Sequence, residues 1–213
     1  SAAIAHEIRN PLTAIRGFIQ LLRPHLVELG RDEYARIILT EIDRANDIIY
    51  EFLNSSKPSA PQKTAVSVMG LLKEVVMLTE SEALMKGCQI ALDENDELMK
   101  VSIDVKQIKQ VILNMIKNAM DAIESIGGER EGCIDIHTIL EGPYVHICIE
   151  DNGLGMDNNT LSRVFDPFFT TKESGTGLGL AVSYRIIKNH GGFIHVDSKH
   201  GSGTQFKITL PVV

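Results

Sequence analysis

The chain has 213 residues, 44% of them hydrophobic and 23% charged, with a formal net charge of −7. That is enough apolar material for a real core in one or two domains, and an acidic balance without a basic run excludes nucleic acid as the main partner. No apolar run reaches transmembrane length and no signal peptide is present, so this stretch is expected to be cytoplasmic. It opens at Ser1 without an initiator methionine and reads as part of a longer protein, which leaves open an upstream sensor region anchored in a membrane.

His6-Glu7-Ile8-Arg9-Asn10-Pro11 stands almost at the start. Ile4, Ile8, Leu12, Ile15, Ile19 and Leu22 recur at helical spacing and form one stripe about 80° wide. On that wheel His6 lies about 200° and Asn10 about 240° from Ile4, so both point away from the stripe. A displayed histidine is usually just solvated, but its neighbour Glu7 offers a carboxylate for Nδ1, which would leave Nε2 free as a nucleophile. Pro11 removes one backbone donor and invites a kink beside it. The zinc-protease pattern H-E-x-x-H fails, because Asn10 stands where a second histidine is needed.

This first helix is expected to run to about Glu28, with a turn around Gly30 and a bend at Pro24. Asp32 is the expected N-cap of a second helix whose apolar side carries Ile37, Ile38, Ile42, Ala45, Ile48, Ile49 and Phe52. One hairpin buries too little to stand alone, so the expectation is a symmetric homodimer, a four-helix bundle with His6 outside. Thr13, Gly17 and Leu21 near His6 suggest a docking surface. Residues 58–63 read as a linker, with the hairpin at 1–57 and a second domain at 64–213.

In the second segment the expected elements are a helix from Leu71 to Met85, and strands at Ile90–Leu92 and Val101–Ile103. A long helix capped by Asp104 follows, then strands through Ile134–Ile136 and Val145–Ile149 around Gly142-Pro143. A helix Leu178–Lys188 and strands Phe193–Asp197 and Thr204–Leu210 end the chain. The fold class is thus a helical hairpin followed by an α/β sandwich, one sheet with helices on one face.

Four islands interrupt that pattern. Asn114 and Asn118 are i and i+4 on one helix face, neutral carboxamides that can give oxygen to Mg²⁺ beside a triphosphate. Asp151-Asn152-Gly153-Leu154-Gly155-Met156 follows a strand, where a carboxylate can accept from an adenine amino group. Alone it would be a simple turn. Phe165-Asp166-Pro167-Phe168-Phe169-Thr170-Thr171-Lys172 crowds three phenylalanines into an expected loop, which suits a mobile lid with a phosphate-reaching lysine better than core packing. Gly175-Thr176-Gly177-Leu178-Gly179-Leu180 opens a helix, where free N–H groups favour phosphate; it is neither a Rossmann nor a Walker A sequence. Cys88, Cys133 and Cys148 read as small buried hydrophobes, and the remaining histidines mostly as solvated.

In this order the five motifs resemble the transmitter core of bacterial sensor histidine kinases over essentially the whole chain, and more narrowly the sporulation kinases. His6 to Pro11 is similar to the H box, Asn114 to Ala122 the N box and Asp151 to Met156 the G1 box. Phe165 to Lys172 is similar to the F box and Gly175 to Leu180 to G2. The resemblance implies a dimerisation and phosphotransfer hairpin followed by a Bergerat-type ATP-binding domain. It implies ATP and Mg²⁺, with Asn118 as a metal ligand assisted by Asn114, and Asp151 reading adenine with Thr204 nearby. Gly153, Gly155, Phe165, Lys172, Gly175, Thr176, Gly177, Leu178 and Gly179 would complete the nucleotide site. His6 would attack the γ-phosphoryl group with Glu7 as base or orienter, Asn10 completing an E-x-x-N pattern for dephosphorylation. A response-regulator receiver would take the phosphoryl group, and small inhibitory proteins could dock on the hairpin. ATP-hydrolysing relatives of the fold carry a glutamate where this chain has Asn114.

Overall fold

The computed structural model describes residues 2–56, 61–94, 99–128, 130–172 and 175–213, without the side chains of residues 2–9 and 47–56. The chain divides into two compact units, Ser1–Ser59 and Ala60–Val213.

The first unit is a hairpin of α1 (Ala2–Glu28) and α2 (Asp32–Ser56). The first helix continues through both Pro11 and Pro24. It ends where Gly30, at φ 69°, lets the Arg31 N–H reach back to Leu26 O at 2.7 Å. Asp32 departs from its expected role. It is the first residue of α2 and turns its carboxylate to Arg23, with Nε to Oδ1 at 2.7 Å, so an ion pair ties the two helices beside the turn. Arg16 and Asp43 make a second tie further along. Ala35 and Ile42 are buried, whereas Ile15, Leu22, Ile37 and Ile38 of the expected apolar faces stay exposed in the single chain. The side chains of Ile4, Ile8, Ile48, Ile49 and Phe52, and linker residues 57–60, lie outside the described residues.

The second unit begins with β1 (Thr64–Ser67), α3 (Val68–Met85), β2 (Cys88–Leu92) and β3 (Lys100–Ile103). There follow α4 (Val105–Glu124), β4 (Gly132–Glu141), β5 (Tyr144–Asp151), α5 (Asn158–Arg163), α6 (Gly179–Asn189), β6 (Phe193–Lys199) and β7 (Gly203–Pro211). The main sheet runs β2-β4-β5-β7-β6, with only the β2–β4 pair parallel. The expected single sheet is corrected here: β3 instead pairs antiparallel with β1, a strand the sequence pattern did not suggest.

Alternation along the strands explains the layering. Val145, Ile147 and Ile149 of β5, with Ile134, Ile136, Phe206, Ile208 and Leu210, share one core with α3, α4 and α6. Ile108, Val111, Ile112, Met115, Ile116, Ala119, Met120 and Ile123 give α4 a wide buried stripe, which leaves Asn114 and Asn118 at its margin. Asp104 caps this helix, its Oδ1 accepting from the Lys106 and Gln107 N–H groups at 3.1 and 3.2 Å. Cys88 and Cys148 are buried as expected, but Cys133 is exposed because it faces outward on β4.

Of the remaining histidines, expected to be mostly solvated, two are buried, His146 at 8% and His190 at 2% exposure. His190 Nε2 accepts the Asp104 N–H at 3.0 Å and Nδ1–H donates to Ile186 O at 2.7 Å, so a neutral ring joins the start of α4 to the end of α6. Burial holds its pKa below the ordinary value. A histidine with a depressed folded pKa contributes stability above its unfolded pKa of about 6.5, and that contribution is lost as pH falls toward the folded value. Thermal unfolding should therefore lose stability as pH drops below about 6.5, and His190→Asn should flatten that part of the profile. An unchanged slope in the variant would assign the loss to other groups.

Candidate nucleotide-binding site

The end of β5 delivers Asp151 beside β7, where it stands opposite Thr204. Its Oδ1 accepts the Gly153 N–H at 2.9 Å. Burial pushes the carboxyl up to about 6, against the opposing effects of the Gly153 and Thr204 N–H groups and Arg130. A half-desolvated carboxylate in that condition has spare capacity for a donor from a ligand. The glycines of the following loop allow backbone on backbone. A Cβ on Gly153 would lie 2.6 Å from the carbonyl carbon of Ala122, and one on Gly155 2.8 Å from Gly203 O. The loop is fixed by Asn152, which accepts from the Cys133 N–H at 2.9 Å and donates to Glu131 O at 2.8 Å.

Ser198, which the sequence reading missed, closes this side. It accepts the Met156 N–H at 2.8 Å, donates to Gly203 O at 2.9 Å and stands 2.9 Å from Thr204 Oγ1. Arg130, also missed, donates to Gly153 O at 2.9 Å and Gly201 O at 3.3 Å. Neither sits in a recognisable motif; strand register alone brings Ser198 opposite Thr204.

Across the site, Asn114 Nδ2 donates to Ser183 Oγ at 3.1 Å, and Ser183 donates to Gly179 O at 2.9 Å. A Cβ on Gly179 would lie 2.6 Å from Asn114 Oδ1, so the first turn of α6 packs directly on the α4 carboxamide. Leu178, at the N-cap of α6, provides no side-chain cap, which leaves the first N–H groups of that helix for a ligand anion. Thr176 Oγ1 accepts the Leu178 N–H at 3.3 Å, and Gly177 passes so close to the Phe169 backbone that a Cβ would stand 2.7 Å from its N.

The aromatic segment divides in two. Phe165 is packed, its ring 5.4 Å from that of Tyr184 and its side chain against the core, contrary to the expectation that core packing does not explain these residues. Phe169 lies under the Arg163 guanidinium at 4.3 Å, while Phe168 is 57% exposed. Phe168 also has φ 66°, the one positive value among described non-glycine residues, held by its N–H bond to Gly177 O at 2.9 Å. Lys172 reaches back to α4, with Nζ 2.9 Å from Asn118 Oδ1 and 2.6 Å from Asp121 Oδ2. Gly175 lies against Thr170 and Lys172, its N–H donating to Lys172 O at 3.2 Å.

These residues suit a nucleoside triphosphate: a half-buried acceptor at one end, uncapped N–H groups and a lysine at the other. Among the described residues no three His, Cys, Asp or Glu side chains gather as a metal cage, so a cation here would be held through carboxamides and phosphate oxygens. His6 and Glu7 lie in α1 with side chains outside the described residues, and Asn10 is exposed on the same helix.

Residues 103–213, just over half of the chain, match the family described as histidine kinase-, DNA gyrase B- and HSP90-like ATPase, and residues 1–61 match the His Kinase A (phospho-acceptor) domain. The chain belongs to the histidine kinases. This kinase core is 42% identical over 212 residues to sporulation kinase E of Bacillus subtilis (strain 168), covering 100% of this chain and 28% of that protein. It is 41% identical over 212 residues to the signal transduction histidine-protein kinase AtoS of Escherichia coli (strain K12), covering 99% of this chain and 34% of that one. Sporulation kinase B of the same Bacillus subtilis strain is 34% identical over 213 residues, covering 99% of this chain and 49% of that protein. Full-length ShkA in complex with AMPPNP superposes with a TM-score of 0.80 at 25% identity, covering 100% of this chain and 45% of that chain. Histidine kinase ThkA in complex with the response regulator TrrA gives 0.71 at 32% identity, covering 100% and 60%. The kinase core thus spans about a third of the length of sporulation kinase E and AtoS. None of its described helices is long and apolar enough to cross a membrane.

Proposed function

We propose that this chain transfers the γ-phosphoryl group of ATP to Nε2 of His6, and from there to an aspartate of a response-regulator receiver. One observation carries the choice of transfer over hydrolysis. By the resemblance, Asn114 takes the place of the glutamate that activates water in ATP-hydrolysing relatives of the fold, and it is a carboxamide whose Nδ2 is already given to Ser183 Oγ at 3.1 Å. A carboxamide cannot take a proton from water, so the acceptor must bring its own nucleophile. The neutral imidazole of His6 is one, with Glu7 to orient it and Asn10 one turn further along α1.

The remaining residues bind and orient. Asp151 accepts from adenine, with Thr204 and Ser198 behind it. Gly153 and Gly155 let the base approach the backbone, and Gly175, Thr176, Gly177, Leu178 and Gly179 present N–H groups to the phosphates. Asn118, with Asn114 beside it, would hold Mg²⁺, which neutralises phosphate charge when bound. Most of the rate then comes from positioning.

The exposed Ile15, Leu22, Ile37 and Ile38 support a homodimer through the hairpin, since a lone hairpin leaves these side chains in water. Residues 58–63 act as linker between the hairpin (1–57) and the ATP-binding domain (64–213). The regulator partner is supported by ThkA, which is similar to this chain and forms a complex with the response regulator TrrA. Control of sporulation is supported by the similarity to sporulation kinase E, while the signal transduction histidine-protein kinase AtoS is as similar. Small inhibitory proteins docking on the hairpin, and a membrane anchor upstream, complete the proposal.

The test is incubation with γ-labelled ATP and Mg²⁺. Acid-labile, base-stable label on the parent chain, absent from His6→Gln and Asn118→Asp, is the expected result. A parent that binds ATP but never labels would leave a nucleotide-responsive scaffold and end the kinase reading.

A further inference from the structure

Four charged groups meet around the C-terminal part of α4. Asp121 lies between two lysines: Lys172 Nζ is 2.6 Å from Oδ2, and Lys86 Nζ is 2.6 Å from Oδ1. Lys86 also reaches Glu124 Oε2 at 3.0 Å. Burial pushes the Asp121 carboxyl up, but the two ammonium groups outweigh it and hold it below the usual range, while Asp121 and Glu124 raise Lys86. Asp121 is thus a fixed anion, and one turn away along the helix Asn118 Oδ1 accepts from the same Lys172 at 2.9 Å. The backbone around Lys172 is shaped for this reach, since its N–H donates to Thr170 Oγ1 at 3.1 Å. Lys172 therefore places a positive charge on the carboxamide oxygen assigned above to the cation.

We propose that Asp121 is a positioning residue that docks Lys172 on Asn118 as a stand-in for the divalent cation, so that nucleotide binding must displace it. This rests on the nucleotide site proposed above. A bound Mg²⁺ and an ammonium group cannot both occupy the Asn118 oxygen, and phosphates offer Lys172 a stronger partner than a half-exposed carboxylate. Docking is then a competing equilibrium inside the free protein. It reduces apparent nucleotide affinity by the fraction of molecules in which Lys172 is undocked. Lys86 tunes it, because an anion shared between two cations holds each less tightly.

The proposal fixes both a sign and a dependence. Titration of a fluorescent ADP analogue with Mg²⁺ is expected to show Asp121→Asn binding roughly two- to fivefold tighter than the parent, the range set by the modest strength of a half-exposed ion pair. Lys86→Gln should bind more weakly, because Asp121 then holds Lys172 alone. In a Lys172→Gln background both effects should vanish, which a general change in local charge would not cause. Unchanged or weaker binding by Asp121→Asn, or an effect that survives Lys172→Gln, overturns the proposal while the nucleotide site stands. A parent that fails to bind the analogue removes both. Lys86→Gln keeps the test decisive should Asp121→Asn fail to fold.

Discussion

Asp151→Asn is expected to weaken ATP binding by roughly ten- to a hundredfold, the worth of one hydrogen bond to a charged acceptor. Asp151 ends β5 with its carboxyl pushed up to about 6 by burial, which the Gly153 N–H, 2.9 Å from Oδ1, and the Thr204 N–H offset only in part. In the proposed site an adenine amino group would supply a further donor to this charge. Asparagine keeps the shape but not the charge, and can turn an N–H₂ toward the base, so discrimination against guanine, which presents a carbonyl there, should shrink. Equilibrium titration with fluorescent ATP and GTP analogues reads both changes.

The pH dependence follows with a definite sign. Only ionised Asp151 is the strong acceptor, so ATP affinity of the parent should fall as pH drops below about 6, and the Asn variant should be flat there. Stability of the free protein runs the other way at this residue. Between the unfolded value of about 4 and the folded value of about 6 the folded chain binds more protons at Asp151, so lowering the pH relieves a cost. His190 opposes it over a neighbouring range, and Asp151→Asn and His190→Asn therefore separate the two. A parent whose ATP affinity is level from pH 7 to 5 would remove Asp151 from base recognition.

The elements legible from sequence were those with a long period or a strong cap. The stripe of α4 and the Asp104 cap declare that helix, and alternation with Gly142 at the turn declares β4 and β5. The short pieces were not legible. β1 has four residues after a proline-rich stretch, and it exists because Thr64–Ser67 pairs with Lys100–Ile103 far along the chain. α5 has six residues, too few for a periodic signal. Within the site, glycine and asparagine punctuation marked the loops, because backbone approach leaves a signature in residue type. Ser198, Arg130 and Ser183 carried none, and Asp121, though inside Asn114 to Ala122, gave no sign of its partners. Each is an ordinary polar residue, and only strand register or helix packing shows what it touches. The same limit explains His190, whose burial depends on α4 and α6 meeting, and Asp32, whose carboxylate found Arg23 before any helix N–H.

Gly203→Ala is expected to destabilise the ATP-binding unit by about 2–5 kcal/mol, combining left-handed strain with a clash that cannot relax. Gly203 has φ 108°, and a Cβ there would overlap Asp151 O and stand 2.9 Å from Asp151 C and 3.0 Å from Asn152 Cα. These are backbone atoms in a paired strand, so no side chain can swing aside. For a unit of this size the melting temperature should fall by roughly 5–15 °C. Gly201 provides the control. It has φ 80° but open space around its Cβ position, so Gly201→Ala should show the conformational cost alone, about 1–2 kcal/mol. Equal effects in the two variants would mean that the close approach of β7 to β5 contributes nothing. Unequal ones carry a functional consequence. Gly203 O accepts from Ser198, and Thr204 stands opposite Asp151, so any shift that makes room for a methyl group moves Asp151, the acceptor proposed for adenine, and its two hydroxyl neighbours together. ATP affinity of Gly203→Ala, measured where it is still folded, should then fall further than that of Gly201→Ala, because the end of the sheet proposed to read the base is built from main chain against main chain.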